Sequence, residues 1–167
     1  MLPAELLPRA ARLIEQYRAR GWRVATAESC TGGLITAALT EIAGSSDVVD
    51  RGFVTYSNEA KTELLGVPAA LIAAHGAVSE AVAAAMAAGA MANARADVVV
   101  SVTGIAGPGG GTAEKPVGLV WFGCAVRSRG RHTKSVIFPG DRAAIRIASV
   151  ATAFDLFEAA ANEADAK

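Results

Sequence analysis

The sequence predicts the α/β fold class: a three-layer α/β/α sandwich built on a mixed, mostly parallel sheet. Short apolar runs at residues 22–27, 52–56 and 97–103 are typical of buried strands, and segments with helical spacing of apolar residues separate them. Strands that alternate with helices in this way run parallel, with helices on both faces of the sheet. Two further runs, 117–126 and 132–138, are joined by a hairpin turn and are expected to be antiparallel.

The helices between these strands are predicted from the spacing of apolar residues and from terminal signals. We expect six helices, at residues 3–21, 34–43, 59–65, 68–74 and 80–95 and from Gly140-Asp141 onward. Asn58 is the expected N-cap of the helix at 59–65, which ends at Gly66, and Ser79 is the expected N-cap of the helix at 80–95. The sequence contains no internal repeat or linker, so residues 1–167 are expected to form one stand-alone domain.

Composition narrows the classes of function. Lys plus Arg and Asp plus Glu balance at 16 each, with no basic block, which argues against a nucleic-acid partner. No apolar run is long enough to span a membrane, and the N-terminus lacks the features of a signal peptide, so a cytoplasmic protein with no membrane partner is expected. Two cysteines fit a reducing compartment, and with two histidines at no ligand spacing we expect neither a metal site nor a cofactor.

The stretch AESCTGG at residues 27–33 joins the first strand to the next helix. Ser29 therefore lies in a tight strand-to-helix turn, among backbone N–H groups at the positive end of a helix. Such a turn can bind an anion or stabilise a developing oxyanion. It can equally contain nothing more than a helix cap at Ser29 or Thr31, and the turn alone leaves both interpretations open.

The carboxyl ends of parallel strands share one edge of a sheet, so the segments that follow the strands are expected to meet there. These segments are the Ser29 turn, residues 56–61 and the glycine-rich loop at 104–111, which leads into a strand and so is not a dinucleotide-binding loop. The backbone of that loop either lets a ligand come close or forms a flexible connection. The candidate oxyanion and substrate-binding residues at this edge are Glu28, Cys30, Thr31, Gly32, Gly33, Thr103, Gly104, Gly107, Gly109, Arg142 and Arg146.

Lys61 is the candidate base for Ser29. With Asn58 as N-cap, Lys61 falls at the third helical position, where the macrodipole disfavours a cation and the side chain leans toward the helix N-terminus. The dipole and partial desolvation favour the neutral amine that a general base requires. The alternative is a solvated lysine, but beside a serine in an oxyanion-ready turn it indicates a Ser–Lys hydrolase. Tyr56 is either a proton relay that orients the serine or a half-buried strand aromatic.

Two neighbours of Ser29 compete for its role or for that of Lys61. Cys30 is an alternative nucleophile, but neither histidine can be placed beside it, so we interpret it as a small buried residue. Glu28 is an alternative base, but a carboxylate at a strand end is expected to order the loop or to pair with Lys61.

Three ordered motifs, AESCTGG at 27–33, TYSNEAK at 55–61 and TGIAGP at 103–108, together resemble the CinA C-terminal domain family. The segment GTAEKPVG at 111–118 extends the resemblance, which covers nearly the whole chain. The resemblance implies a nicotinamide mononucleotide deamidase of pyridine nucleotide salvage, which forms nicotinate mononucleotide and ammonia. It further implies a homodimer, and a stand-alone form without the domain resembling molybdopterin-binding proteins that longer family members carry.

In residue roles, the resemblance implies a nucleophile at Ser29, a base at Lys61 and an assisting Tyr56. In the mechanism that we expect, backbone N–H groups from Cys30 to Gly33 stabilise the oxyanion. Arg142 and Arg146 flank the first turn of the last helix, where cations are unfavourable without an anion nearby. We hypothesise that at least one of them, with the backbone at 107–111, binds the 5′-phosphate.

The alternatives to the deamidase function are a non-catalytic nucleotide-binding module linked to competence or DNA damage, and the same chemistry on another amide.

Overall fold

A computed structural model describes residues 3–165 of the chain. Its strands are β1 (Val24–Glu28), β2 (Val49–Val54), β3 (Val98–Gly104), β4 (Leu119–Val126) and β5 (Gly130–Ile137). Its α-helices are α1 (Leu6–Ala19), α2 (Leu34–Thr40), α3 (Asn58–Leu65), α4 (Ala69–His75), α5 (Glu80–Asn93) and α6 (Arg142–Asp165), and one 3-10 turn covers Ser45–Asp47. Among these described residues, no helix combines the length and the apolar character needed to cross a bilayer.

The sheet has five strands in the order β2-β1-β3-β4-β5. β1 pairs parallel with both β2 and β3, whereas β4 pairs antiparallel with β3 and β5. Four of the five strands therefore point the same way, and the predicted mixed α/β sheet is confirmed. The carboxyl ends of β1, β2, β3 and β5 lie at one edge of the sheet, where the candidate segments were expected to meet.

Helices cover both faces of the sheet, and β1 and β3 are therefore buried on both sides. In β3, Val98, Val100 and Val102 pack with α1, α2 and α6, whereas Val99 packs on the opposite face with α3, α4 and α5. The α5 helix is alanine-rich and approaches its neighbours closely. A side chain at Gly89 of α5 would overlap the backbone carbonyl of Leu65, so this glycine sets the packing distance between α5 and α3.

The structure corrects two boundaries near the candidate site. β2 ends at Val54, two residues before the expected end, so Thr55, Tyr56 and Ser57 form a loop. The N-cap of α3 is Ser57 and not Asn58: the Ser57 hydroxyl accepts the N–H of Ala60 at 3.0 Å. Adjacent serine and asparagine residues cap helices about equally well, and the earlier end of β2 places Ser57 in the extended conformation that a cap needs. Lys61 is consequently the fourth helical residue, not the third.

Candidate active site

The candidate site is built around a direct contact between two buried side chains. The amine nitrogen Nζ of Lys61 lies 3.1 Å from the hydroxyl oxygen Oγ of Ser29. Lys61 is 1% exposed and Ser29 is 9% exposed, so this contact is largely shielded from bulk water. The structure therefore brings together the nucleophile and the base that the sequence predicted, from segments 32 residues apart.

Lys61 reaches Ser29 because its side chain runs back along α3 toward the helix N-terminus, as helical side chains do. Its amine also contacts the carbonyl oxygens of the loop before the helix, at 2.9 Å from Thr55, 3.3 Å from Tyr56 and 3.4 Å from Ser57. Burial lowers the pKa of Lys61 below its ordinary value, because desolvation penalises the ammonium form. A neutral amine here can donate its two N–H groups to carbonyls while its lone pair accepts the Ser29 hydroxyl proton.

Glu28 is fully buried beneath the Ser29 turn and anchors the start of α2. Its carboxylate accepts N–H groups from Gly33, Ile35 and Thr36 at 2.9 to 3.0 Å. It also accepts the hydroxyls of Thr26 and Thr36. A carboxylate at a helix N-terminus is stabilised by the helix dipole. Glu28 thus orders the loop, and its hydrogen-bond partners among the described residues do not include Lys61.

Within the described part of the chain, the backbone of the turn leaves two N–H groups without an acceptor next to Ser29, the candidate nucleophile. Gly32 donates to the Ser29 carbonyl at 3.0 Å, and Gly33 donates to Glu28, so these two N–H groups are already used. Their φ angles of 60° and 97° are positive, so both positions favour glycine for its backbone conformation. The N–H groups of Cys30 and Thr31 have no acceptor within residues 3–165. The candidate oxyanion donors are therefore the N–H groups of Cys30 and Thr31, rather than all the N–H groups from Cys30 to Gly33.

Cys30 is a poor nucleophile in this environment. It is buried, and burial raises the pKa of its thiol to about 11, so the thiol stays protonated near neutral pH. Its side chain lines the same cavity as Ser29, but the thiolate needed for attack is disfavoured. The structure thus supports the interpretation of Cys30 as a small buried residue.

A cavity of about 220 Å³ opens above Ser29 and Lys61. Thr103 and Gly104 at the end of β3 line it, and the Thr103 hydroxyl donates to the carbonyl of Ala77 at 2.9 Å. Tyr56 also lines this cavity, but it is 59% exposed and its hydroxyl accepts a hydrogen bond from Arg142 at 3.0 Å. The Tyr56 hydroxyl is thus paired with the last helix, while the Tyr56 carbonyl contacts Lys61.

A second cavity of about 610 Å³ adjoins the first, since Ala106 and Arg142 line both. Arg142 donates to the Gly107 carbonyl at 3.0 Å, and Arg146, one turn further along α6, also lines this second cavity. Gly109 is exposed in its loop and lines neither cavity, so the structure does not bring it into the site.

Sequence reasoning missed four residues that line the Ser29 cavity: Asn58, Ala77, Val78 and Ala106. Asn58 and Ala106 lie in segments expected at this edge but were not named as site residues, and the other two precede α5, whose start carries only a capping signal. The one sequence signal that could have identified these residues is their expected position at the carboxyl edge of the sheet. Within residues 3–165, no group of three or more His, Cys, Asp or Glu side chains is arranged to hold a metal ion.

Comparison with known proteins places this geometry in a family. Residues 7–161 match the CinA C-terminal domain. The chain is 59% identical over 130 residues to nicotinamide-nucleotide amidohydrolase PncC of Enterobacter agglomerans, covering 78% of this chain and 79% of that protein. It is 50% identical over 146 residues to the protein of the same name from Escherichia coli K12, covering 87% and 88%.

A solved structure shares the fold over almost its whole length. The competence/damage inducible protein CihA from Agrobacterium tumefaciens superposes with a TM-score of 0.93 at 49% identity, covering 96% of this chain and 98% of that one. The sequence motifs, the fold and these similarities agree with one another. The chain therefore belongs to the CinA C-terminal domain family.

Proposed function

We propose that this protein is a nicotinamide-nucleotide amidohydrolase that converts nicotinamide mononucleotide to nicotinate mononucleotide and ammonia. The observation that carries the proposal is the buried contact of 3.1 Å between Lys61 Nζ and Ser29 Oγ. The names of the two PncC relatives support the substrate, and the Ser–Lys pair supports acyl transfer as the chemistry.

In the first half of the reaction, the Ser29 hydroxyl attacks the carboxamide carbon while Lys61 accepts the hydroxyl proton. The carbonyl oxygen becomes an oxyanion, and the N–H groups of Cys30 and Thr31 stabilise it. Lys61 then gives its proton to the amide nitrogen as the carbon–nitrogen bond breaks. Ammonia leaves, and the nicotinoyl group remains on Ser29 as an ester.

In the second half, water replaces ammonia in the cavity and attacks the ester carbonyl. Lys61 accepts a proton from this water and returns one to Ser29 as the ester bond breaks. Nicotinate mononucleotide is released and the free enzyme is restored. The carbonyls of Thr55, Tyr56 and Ser57 support this cycle because they stabilise the ammonium form of Lys61 each time it appears.

The phosphate of the substrate is assigned to the second cavity. Arg142 lines both cavities, so its guanidinium can contact a phosphate while the carboxamide lies at Ser29. Of the loop at 107–111, Pro108 lines this cavity and the Gly107 carbonyl holds Arg142. Tyr56 assists by contacting Arg142. Arg146 lines the second cavity but not the Ser29 cavity, so Arg142, which lines both, is the preferred phosphate ligand.

The remaining parts of the proposal concern the setting of the enzyme. We assign a homodimer without nucleic-acid or membrane partners, located in the cytoplasm. Val54, Leu64 and Ile137 are large apolar side chains that the described residues leave exposed. Sedimentation equilibrium should give twice the 17.0 kDa chain mass, and a value of 17.0 kDa would contradict the dimer.

Ammonia release from a panel of amides tests the function. The panel contains nicotinamide mononucleotide, its unphosphorylated riboside, nicotinamide and non-pyridine nucleotide amides. The mononucleotide should give the highest kcat/KM, and Ser29→Ala should give none above background. Ammonia release from a different amide in place of the mononucleotide would support the acyl-transfer chemistry but contradict the proposed substrate. No release from any amide, together with binding of a mononucleotide, would favour a non-catalytic binding module.

A further inference from the structure

We infer that Arg146 is a positioning residue for the Thr31 N–H, one of the two candidate oxyanion donors of the Ser29 turn. Its guanidinium nitrogen Nε donates to the carbonyl oxygen of Cys30 at 3.1 Å, and Nη2 donates to that of Thr31 at 2.9 Å. No carboxylate within residues 3–165 lies at salt-bridge distance from Arg146, so its charge is directed to these two backbone groups. The inference rests on the proposed acyl-transfer function and adds a residue to it.

The geometry of the peptide bond connects one of these carbonyls, that of Cys30, to a candidate oxyanion donor. In a planar trans peptide, the C=O of one residue and the N–H of the next point in opposite directions. The Cys30 carbonyl shares its peptide group with the Thr31 N–H. Because Arg146 holds that carbonyl, the Thr31 N–H points away from the guanidinium. Arg146 lines the second cavity and not the cavity of Ser29, so it acts from the far side of the turn.

The remaining peptides of the turn depend less on Arg146. The Ser29 carbonyl accepts the Gly32 N–H, which fixes the peptide that carries the Cys30 N–H. The Thr31 carbonyl also accepts the N–H of Leu34, at 3.2 Å. Among the described residues, Arg146 is the hydrogen-bond donor to the Cys30 carbonyl. The peptide carrying the Thr31 N–H thus has its orientation set by Arg146.

Charge strengthens this effect. A hydrogen bond from a cation to a carbonyl polarises the whole peptide group, and this makes the N–H at its other end a better donor. The guanidinium lies against the turn: a Cβ at Gly32 would be in ordinary van der Waals contact with Nη2 of Arg146, at 3.5 Å. Arg146 therefore both orients and polarises the Thr31 N–H.

The test compares Arg146→Gln and Arg146→Lys with the exposed surface control Arg12→Gln. Loss of one oxyanion donor lowers kcat by about 100- to 1000-fold, so a donor that is present but misaligned should lower it by about 10- to 100-fold. KM for the mononucleotide should stay within about threefold, and the preference for mononucleotide over riboside should be unchanged. The lysine variant, with one ammonium in place of the two-pronged guanidinium, should be intermediate.

A substrate-independent readout separates this inference from the proposed substrate. An alkyl fluorophosphonate reacts with an activated serine: the Ser29 oxygen bonds to phosphorus, fluoride leaves and the serine proton passes to Lys61. The phosphonyl oxygen occupies the oxyanion position, so Arg146→Gln should slow labelling of Ser29 by the same factor as kcat. The final extent, measured by intact mass, should remain one label per chain, as in the wild type and in Arg12→Gln.

Three results would overturn the inference. A rise in KM for the mononucleotide but not for the riboside would make Arg146 a phosphate ligand. Unchanged labelling rates in both Arg146 variants, or a reduced final extent at an unchanged rate, would remove the positioning role. Absence of Ser29 labelling in the wild type would remove the activated serine on which the inference rests. Labelling of the wild type without deamidation of the mononucleotide would contradict only the proposed substrate, and the labelling comparison would still decide the role of Arg146.

Discussion

At the scale of single residues, the proposed chemistry depends on burial of the Lys61 amine. An ammonium group removed from water loses several kcal/mol of solvation unless partners replace it. Three carbonyls and the Ser29 hydroxyl replace part of the lost water contacts of the amine. The desolvation that these partners do not offset lowers the pKa of Lys61. A lowered pKa is the direction that the proposed role of Lys61, a base that cycles its proton, requires.

The first prediction separates the two adjacent nucleophile candidates. Ser29→Ala should lower kcat by about 10⁴-fold or more, since it removes the atom that attacks. Cys30→Ala should keep most of the activity, because the thiol at position 30 is protonated and buried. Steady-state ammonia release measures both, and circular dichroism confirms the fold. An inactive Cys30→Ala beside an active Ser29→Ala would reverse the assignment.

At the scale of elements, the turn between β1 and α2 is held from two sides. Glu28 holds its inner side through the N–H groups at the start of α2, and Arg146 holds its outer side through two carbonyls. The α3 helix presents Lys61 from the opposite wall, and its distance from α5 is set by close packing at Gly89. The turn is thus placed by hydrogen bonds, and the base is placed by helix packing.

The second prediction tests the anchoring role of Glu28. Glu28→Gln replaces one acceptor oxygen with an amide that faces N–H or hydroxyl donors, and it removes the charge at the start of α2. The free energy of unfolding should fall by about 2–4 kcal/mol, the cost of disrupting buried hydrogen bonds to a charged group. Denaturant unfolding measures this loss. A variant as stable as the wild type but inactive would instead place Glu28 in the chemistry.

At the scale of the whole molecule, the topology collects the site from distant parts of the chain. Ser29 follows β1, Lys61 follows β2, Thr103 ends β3, and Arg142 begins the helix after β5. Parallel pairing of β1 with β2 and β3 is what brings the first three segments to one edge. Two adjoining cavities at this edge suit a substrate with a carboxamide at one end and a phosphate at the other.

This topology explains how much of the site could be predicted. The pairing of Ser29 with Lys61 followed from the strand pattern, because Ser29 comes directly after β1 and Lys61 lies near the start of the helix after β2, and the carboxyl ends of these strands meet at one edge. The cap of α3 could not be resolved, since Ser57 and Asn58 are both suitable capping residues. The contacts of Arg146 with the Ser29 turn depend on how α6 packs against residues more than a hundred positions earlier. No local pattern in the sequence carries that information.

The third prediction concerns the phosphate subsite that joins the two cavities. Arg142→Ala should raise KM for the mononucleotide by about 10- to 100-fold, the usual effect of losing a charged hydrogen bond. KM for the unphosphorylated riboside should change much less, because the riboside lacks the group that Arg142 contacts. Parallel steady-state kinetics on the two substrates measure the difference. Equal effects on both would remove Arg142 from the phosphate subsite.

The most direct test of the Ser–Lys mechanism is the pH profile of kcat/KM for the wild type and for Lys61→Arg. Burial lowers the pKa of Lys61, so the wild-type rate should rise with pH through an ionisation below the ordinary lysine value of 10.5. Arginine keeps the charge but stays protonated, so Lys61→Arg should be nearly as inactive as Lys61→Ala and should lack this ionisation. An arginine variant within about tenfold of the wild type, with an unchanged profile, would show that residue 61 acts as a fixed cation and would contradict the mechanism.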